Sequence, residues 1–103
     1  MAGRAESIVV VISPDDFRPV QYITVESRDL IFAVANAMTN PQIAELTHRS
    51  EQGVKNSLRA IYERLGIATR AECSPRVMLA WWWWHGGSST PLRHPTTDTD
   101  NHV

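Results

Sequence analysis

The chain has 103 residues, 43% of them hydrophobic, and ten Lys or Arg against eleven Asp or Glu give a net charge of −1. That length holds one small domain, and the near-neutral balance excludes a protein that is basic throughout, so any contact with a polyanion depends on where the charges sit. The lone Cys73 excludes an intrachain disulfide and fits a reducing, cytoplasmic setting. The longest apolar run, residues 77–84, is too short to cross a bilayer, and no basic-then-apolar leader is expected at the start.

Residues 1–22 read as an N-terminal arm and linker. Ile8, Val9, Val10, Val11 and Ile12 form a β-preferring run that Ser13, Pro14, Asp15 and Asp16 end with turn chemistry. It is expected as a short strand over 8–12 or an apolar arm packed on the domain, with pairing to a partner chain as the alternative. Residues 17–22 read as an extended linker stiffened by Pro19. Thr24 can cap a helix running to about Met38, with Leu30, Ala33, Val34, Ala37 and Met38 at helical spacing and Arg28 and Asp29 outside. A short helix then opens on a Thr-x-x-Gln cap at Thr39 and Gln42, turning Ile43 and Ala44 inward. Ser50 caps the next helix, expected over 51–65. Its apolar residues Val54, Leu58, Ile61 and Leu65 are four, three and four apart, one face of a helix.

Gly66 ends that helix as a glycine just past the last turn should. Thr69 and Glu72 make a capping box that starts a fourth helix. Pro75 then either kinks that helix or, with Ser74, caps a new one holding Val77, Met78, Leu79 and the tryptophans at 81–84. From His85 onward Gly, Ser, Thr, Pro, Asp and His dominate without periodicity, so 85–103 is expected as a disordered tail. The predicted architecture is all-α, with the folded domain over 23–84.

Gln52, Lys55, Asn56 and Arg59 fall on the solvated side of the third helix. A helix with an apolar back and a basic, amide-bearing front, braced by a short helix across a tight turn, suits a DNA groove. Arg and Lys match the acceptors of guanine, and Asn or Gln matches the donor–acceptor edge of adenine. The bland alternative is a solvated helix face. Between His48 and Arg64, Arg49, Lys55, Arg59 and Arg64 outweigh Glu51 and Glu63 by two charges, so a single copy would contact few phosphates and bind weakly.

Four consecutive indoles, Trp81, Trp82, Trp83 and Trp84, point all round a helix, so no single face can bury them together. They read as partial core packing, as a dimer or partner contact with Val77 and Leu79, or, more remotely, as a membrane-surface anchor. His48, His85, His94 and His102 are too dispersed for a metal site, and Cys73 reads as a buried small hydrophobe. No nucleophile–base pair, glycine-rich phosphate loop or carboxylate pair is evident. No enzymatic activity, cofactor or metal is expected.

Positions 23–72, about half of the chain, resemble the LuxR/FixJ-type (GerE-like) helix-turn-helix domain of bacterial regulators. The resemblance rests on Ile23-Thr24, Asn40 with Ile43-Ala44-Glu45, Val54-Lys55-Asn56 with Leu58, Ile61-Tyr62, Leu65-Gly66 and Thr69-Arg70-Ala71-Glu72, in register without gaps. It implies a four-helix domain whose third helix enters the major groove, with dimers formed through the fourth. It also implies base-edge contacts from Lys55, Asn56 and Arg59 with Gln52 nearby, and phosphate contacts from Asn40, Ser50, Gly53 and Lys55. The chain departs from the family at four places. Ser27 replaces an acidic residue, Ala37 a glycine, Gly53 a threonine, and Thr47-His48-Arg49 an apolar–glycine–apolar turn. His48 must then adopt a left-handed conformation, which costs a non-glycine residue on the order of 1 kcal/mol.

The expected function is that of a sequence-specific, dimeric DNA-binding transcriptional regulator, bacterial or phage-encoded, standing alone without a receiver or ligand-binding domain. Double-stranded DNA is its partner. The alternative is a helix-turn-helix fold used as a protein-interaction module, binding RNA polymerase or another regulator through residues 81–84.

Overall fold

The computed structural model describes residues 11–67 and 73–93. Four helices follow one another there: α1 (Val25–Ala35), α2 (Asn40–Thr47), α3 (Glu51–Leu65) and α4 (Pro75–Trp84). A 3-10 turn at Pro14–Asp16 precedes them and another at Gly87–Ser89 follows. Strands β1 (Ile23–Thr24) and β2 (Leu92–Arg93) pair in parallel, Ile23 opposite Leu92 and Thr24 opposite Arg93. The domain is all-α, and this two-residue pairing only ties its ends.

Each helix begins on a hydroxyl that accepts one of the orphan amides of the first turn. Thr24 accepts from the Ser27 amide, Thr39 from Gln42, Ser50 from Gly53 and Ser74 from Val77, at 3.1, 3.3, 3.0 and 3.3 Å. Gln42 completes a capping box by accepting from the Thr39 amide at 2.8 Å. The first three helices end alike. The amide of Met38 donates to Ala33 O, that of Arg49 to Ala44 O and that of Ile67 to Tyr62 O, at 3.0, 2.9 and 2.9 Å. These are the long closures of Schellman motifs, and each places one residue in the left-handed region. Those residues are Ala37 (φ 66°), His48 (φ 57°) and Gly66 (φ 72°). The left-handed conformation expected of His48 is thus present.

α1 packs against α4, and α2 against α3. Between the pairs lie Leu30, Ile31, Val34, Ile43, Val54, Leu58, Ile61, Leu65, Met78, Leu79 and Trp83, all buried. Cys73 is buried with them, as expected of a small hydrophobe.

Several boundaries differ from expectation. α1 stops at Ala35 rather than Met38, because its Schellman closure begins there. Of the two outcomes open at Pro75, the structure takes the second: Ser74 caps, and Pro75 opens α4 where its missing amide costs nothing. The capping box at Thr69 and Glu72 lies outside the described residues, as do residues 8–10 of the expected strand. Val11 and Ile12 are in no strand, and Ile12 packs against the core.

The tail boundary placed at His85 is corrected. Residues 85–93 carry a 3-10 turn and β2, held by Ile23 N donating to Pro91 O at 2.9 Å and by Arg93 donating to the Tyr22 hydroxyl at 2.7 Å. Residues 94–103 lie outside the described residues.

Candidate nucleic-acid interface

α3 divides as its sequence dictates. Val54, Leu58, Ile61 and Leu65 are buried, and Gln52, Lys55, Asn56 and Arg59 are all exposed. Gln52 Nε2 donates to Asn56 Oδ1 at 3.0 Å. That bond leaves a Gln52 carbonyl acceptor beside an Asn56 amide donor, the complement of adenine's major-groove edge. Lys55 and Arg59 have no ion-pair partner among the described residues, so their charge is available to solvent. The face can therefore present two cations and one paired amide to a polar, anionic ligand.

The expected phosphate-contact residues sit around the starts of α2 and α3. Ser50 is exposed. Its oxygen is occupied as an acceptor by the Gly53 amide, which leaves its O–H to donate outward. Gly53 is half-buried, and a Cβ there would lie 3.2 Å from Ser50 Oγ. Asn40 is not free: Arg76 Nη1 donates to its Oδ1 at 2.7 Å, and Arg76 Nη2 donates to Met38 O.

Arg76 is the residue that sequence reasoning missed. Its position in the first turn of α4 gives no hint that this turn lies beside the start of α2. Together they frame a groove of about 420 Å³ lined by Asn40, Lys55, Arg59, Tyr62, Glu63 and Arg76 among others. Burial pushes the Tyr62 phenol above its ordinary value, opposed by the charge of Arg76.

Two of the four cations counted along 48–64 are spent elsewhere. Arg49 turns inward, donating to Gly53 O at 3.3 Å and to Ser57 Oγ, and it lies 3.3 Å from Glu26 on α1. Arg64 donates to Tyr22 O at 3.1 Å and covers the Tyr22 ring. The net positive face narrows to Lys55 and Arg59, with Arg76 beside them.

The set expected at a dimer or partner contact splits. Leu79 and Trp83 are buried at 0% and 7% exposure, so they are corrected to core residues. The reason is that α4 lies flat on α1, where Trp83 meets Phe32 edge-on at 5.9 Å. Trp81 is stacked between Phe17 at 5.7 Å and His85 at 4.1 Å, and Trp82 covers Gly87. Val77 and Trp84 are exposed, at 54% and 59%. Among the described residues no helix is long and apolar enough to cross a membrane.

Over 69 residues the chain is 42% identical to a protein of Hyphomicrobium methylovorum described as "Probable transcriptional regulatory protein SgaR", a stretch taking in 67% of this chain and 33% of that protein. The chain thus spans about a third of the length of this curated relative. No protein-family model matches the chain, and no solved structure matches it.

Proposed function

We propose that this chain is a DNA-binding module of a transcriptional regulator, of the LuxR/FixJ helix-turn-helix type. α3 enters the major groove and α2 braces it. Gln52, Lys55, Asn56 and Arg59 meet base edges, while Asn40, Ser50, Gly53 and Lys55 meet phosphates. One observation carries the reading: the four base-edge residues form one exposed face of a helix whose opposite face is buried on α2 and the core. The similarity to a protein named as a transcriptional regulator supports it from a second direction.

The proposal includes two copies per site. Lys55 and Arg59 alone neutralise few phosphates, and exposed Val77 and Trp84, seven residues apart on one face of α4, supply an apolar stripe on which copies can meet. A titration of labelled duplexes of varied sequence tests the reading. Selective binding is expected at a stoichiometry of two chains per duplex, and Arg59→Ala relaxes discrimination by about 1–3 kcal/mol at one base pair. Equal, weak binding to every duplex at low salt overturns it.

A second reading, a protein-interaction module, is favoured by the 59% exposure of Trp84. In that case Trp84→Ala abolishes capture of RNA polymerase while Arg59→Ala leaves it intact.

A further inference from the structure

The groove between α3 and α4 contains a guanidinium that neither the motif nor the base-reading face accounts for. Arg76 spends two N–H donors on Asn40 Oδ1 and Met38 O. A guanidinium carries five and accepts none, so three remain. Arg76 also dictates which way the Asn40 amide faces. Only the carbonyl end of that amide can accept from Arg76, which sends the NH2 end away from it. Asn40 Nδ2 has no hydrogen-bond partner among the described residues and is not buried. Across the same groove stand Lys55 and Arg59, with Glu63 as the single acid lining it. Three cations and an outward amide against one carboxylate suit an anion, and a duplex whose major groove holds α3 carries its phosphates along the walls flanking that helix.

We propose that this groove is a phosphodiester-binding cleft for one strand of a DNA duplex, in which Arg76 both contacts the backbone and holds Asn40 with its NH2 group toward the phosphate. The proposal rests on the DNA-binding reading and extends it to α4, a helix outside the base-reading unit. Backbone contacts of this kind set register and carry no sequence information. The cleft therefore adds affinity evenly over all sequences.

Two variants separate the orienting role from a merely structural one. Asn40→Asp keeps an acceptor for Arg76 and places an acid in the first turn of α2, which a helix N-terminus favours. It also replaces the outward NH2 with a carboxylate oxygen that repels phosphate. Arg76→Gln keeps a donor for Asn40 and removes the charge. A short fluorescein-labelled duplex of mixed sequence is titrated with each full-length protein over a range of NaCl concentrations, beside thermal melts.

Asn40→Asp is expected to melt no lower than the native chain and to bind the duplex on the order of tenfold more weakly. Arg76→Gln is expected to lower the slope of log K against log salt by about one, and Arg76→Lys to restore it. Native affinity and native slope in both Asn40→Asp and Arg76→Gln overturn the cleft while the DNA reading stands. A lower melting point in Asn40→Asp overturns the orienting contact. A native chain that binds no duplex overturns the DNA reading and the cleft with it.

Discussion

Arg49 occupies the turn between α2 and α3 with its side chain directed into the fold rather than toward solvent. Its guanidinium donates to Gly53 O and Ser57 Oγ on α3 and faces Glu26 on α1. The Glu26 side chain is 72% exposed, so the ion pair contributes little in water. The two bonds to α3 matter more, because removing them takes a charged donor from the partly buried Ser57 hydroxyl and unties the turn from the helix. An arginine here does the work of an apolar turn residue, spanning three helices at once. It was legible in the sequence only as a charge, since chain order gives no sign that Glu26 and Ser57 lie within reach.

Tyr62 makes the stability of the fold sensitive to alkaline pH. Its folded pKa is raised above the ordinary 10.0, chiefly by burial. A raised value contributes stability that is fully present below pH of about 10 and is lost as pH rises through the folded pKa, because the unfolded chain releases the proton first. Thermal melts across alkaline pH should show a declining midpoint, and Tyr62→Phe should make that decline shallower. An identical decline in both chains contradicts the assignment.

At the scale of elements, the ends of the helices explain more than their middles. α1, α2 and α3 each close with the same backbone motif, yet only α3 has glycine at the left-handed position. Ala37 and His48 hold that conformation because the closures and the buried residues on either side over-determine it. The periodicity of α3 and the caps at Thr24, Thr39 and Ser50 were legible because they are local rules read within one turn. The left-handed turn at His48 was legible only through the glycine that the family pattern places there. Ala37 carried the same signal, a position where glycine is usual in the family, but its place in the apolar repeat made it read as one more helical residue.

Both positions should accept glycine with a gain. Ala37→Gly and His48→Gly relieve a left-handed cost of about 1–2 kcal/mol each, offset in part by the greater freedom of glycine in the unfolded chain. The net expectation is up to about 1 kcal/mol per site, or a rise in melting temperature of roughly 4–8 °C for each kcal/mol in a domain of this size. The sites close different helices, so their effects should add to within about 0.5 kcal/mol. Differential scanning calorimetry of the two single variants and the double variant reads this directly. A fall in either single variant refutes it.

The whole molecule is closed by residues that no periodic pattern marks. Tyr22 sits between the guanidinium groups of Arg64 and Arg93, at 5.3 and 4.9 Å from its ring. The amide of Arg18 donates to Leu65 O at 2.7 Å, at the end of α3. Phe17, Trp81 and His85 stack in sequence, so the chain before α1 covers part of the aromatic end of α4. These contacts join segments up to 71 positions apart, which is why composition alone made 85–93 look structureless. The indole row was legible as partly buried and partly exposed, but which ring took which role follows from α1, remote in sequence, and from the turn at Gly87, which no periodic rule places against Trp82.

Gly87 tests that closure. It is buried, and a Cβ added there would lie 2.4 Å from Trp82 Cε3, inside any permitted contact. Gly87→Ala must therefore displace the Trp82 ring or lift the 3-10 turn that leads to β2. Overpacking of this kind costs about 1–3 kcal/mol, several degrees in melting temperature. Trp82→Ala removes the ring and carries its own cost in lost packing. With the ring gone, the alanine at 87 has nothing to strike, so the double variant should be no less stable than Trp82→Ala alone. Because the two residues are in contact, their effects should fail to add by about 1 kcal/mol or more. Simple additivity would mean that the turn at Gly87–Ser89 does not pack under the indole, and that residues 85–93 are held to the domain by β1, Tyr22 and the stack of His85 on Trp81.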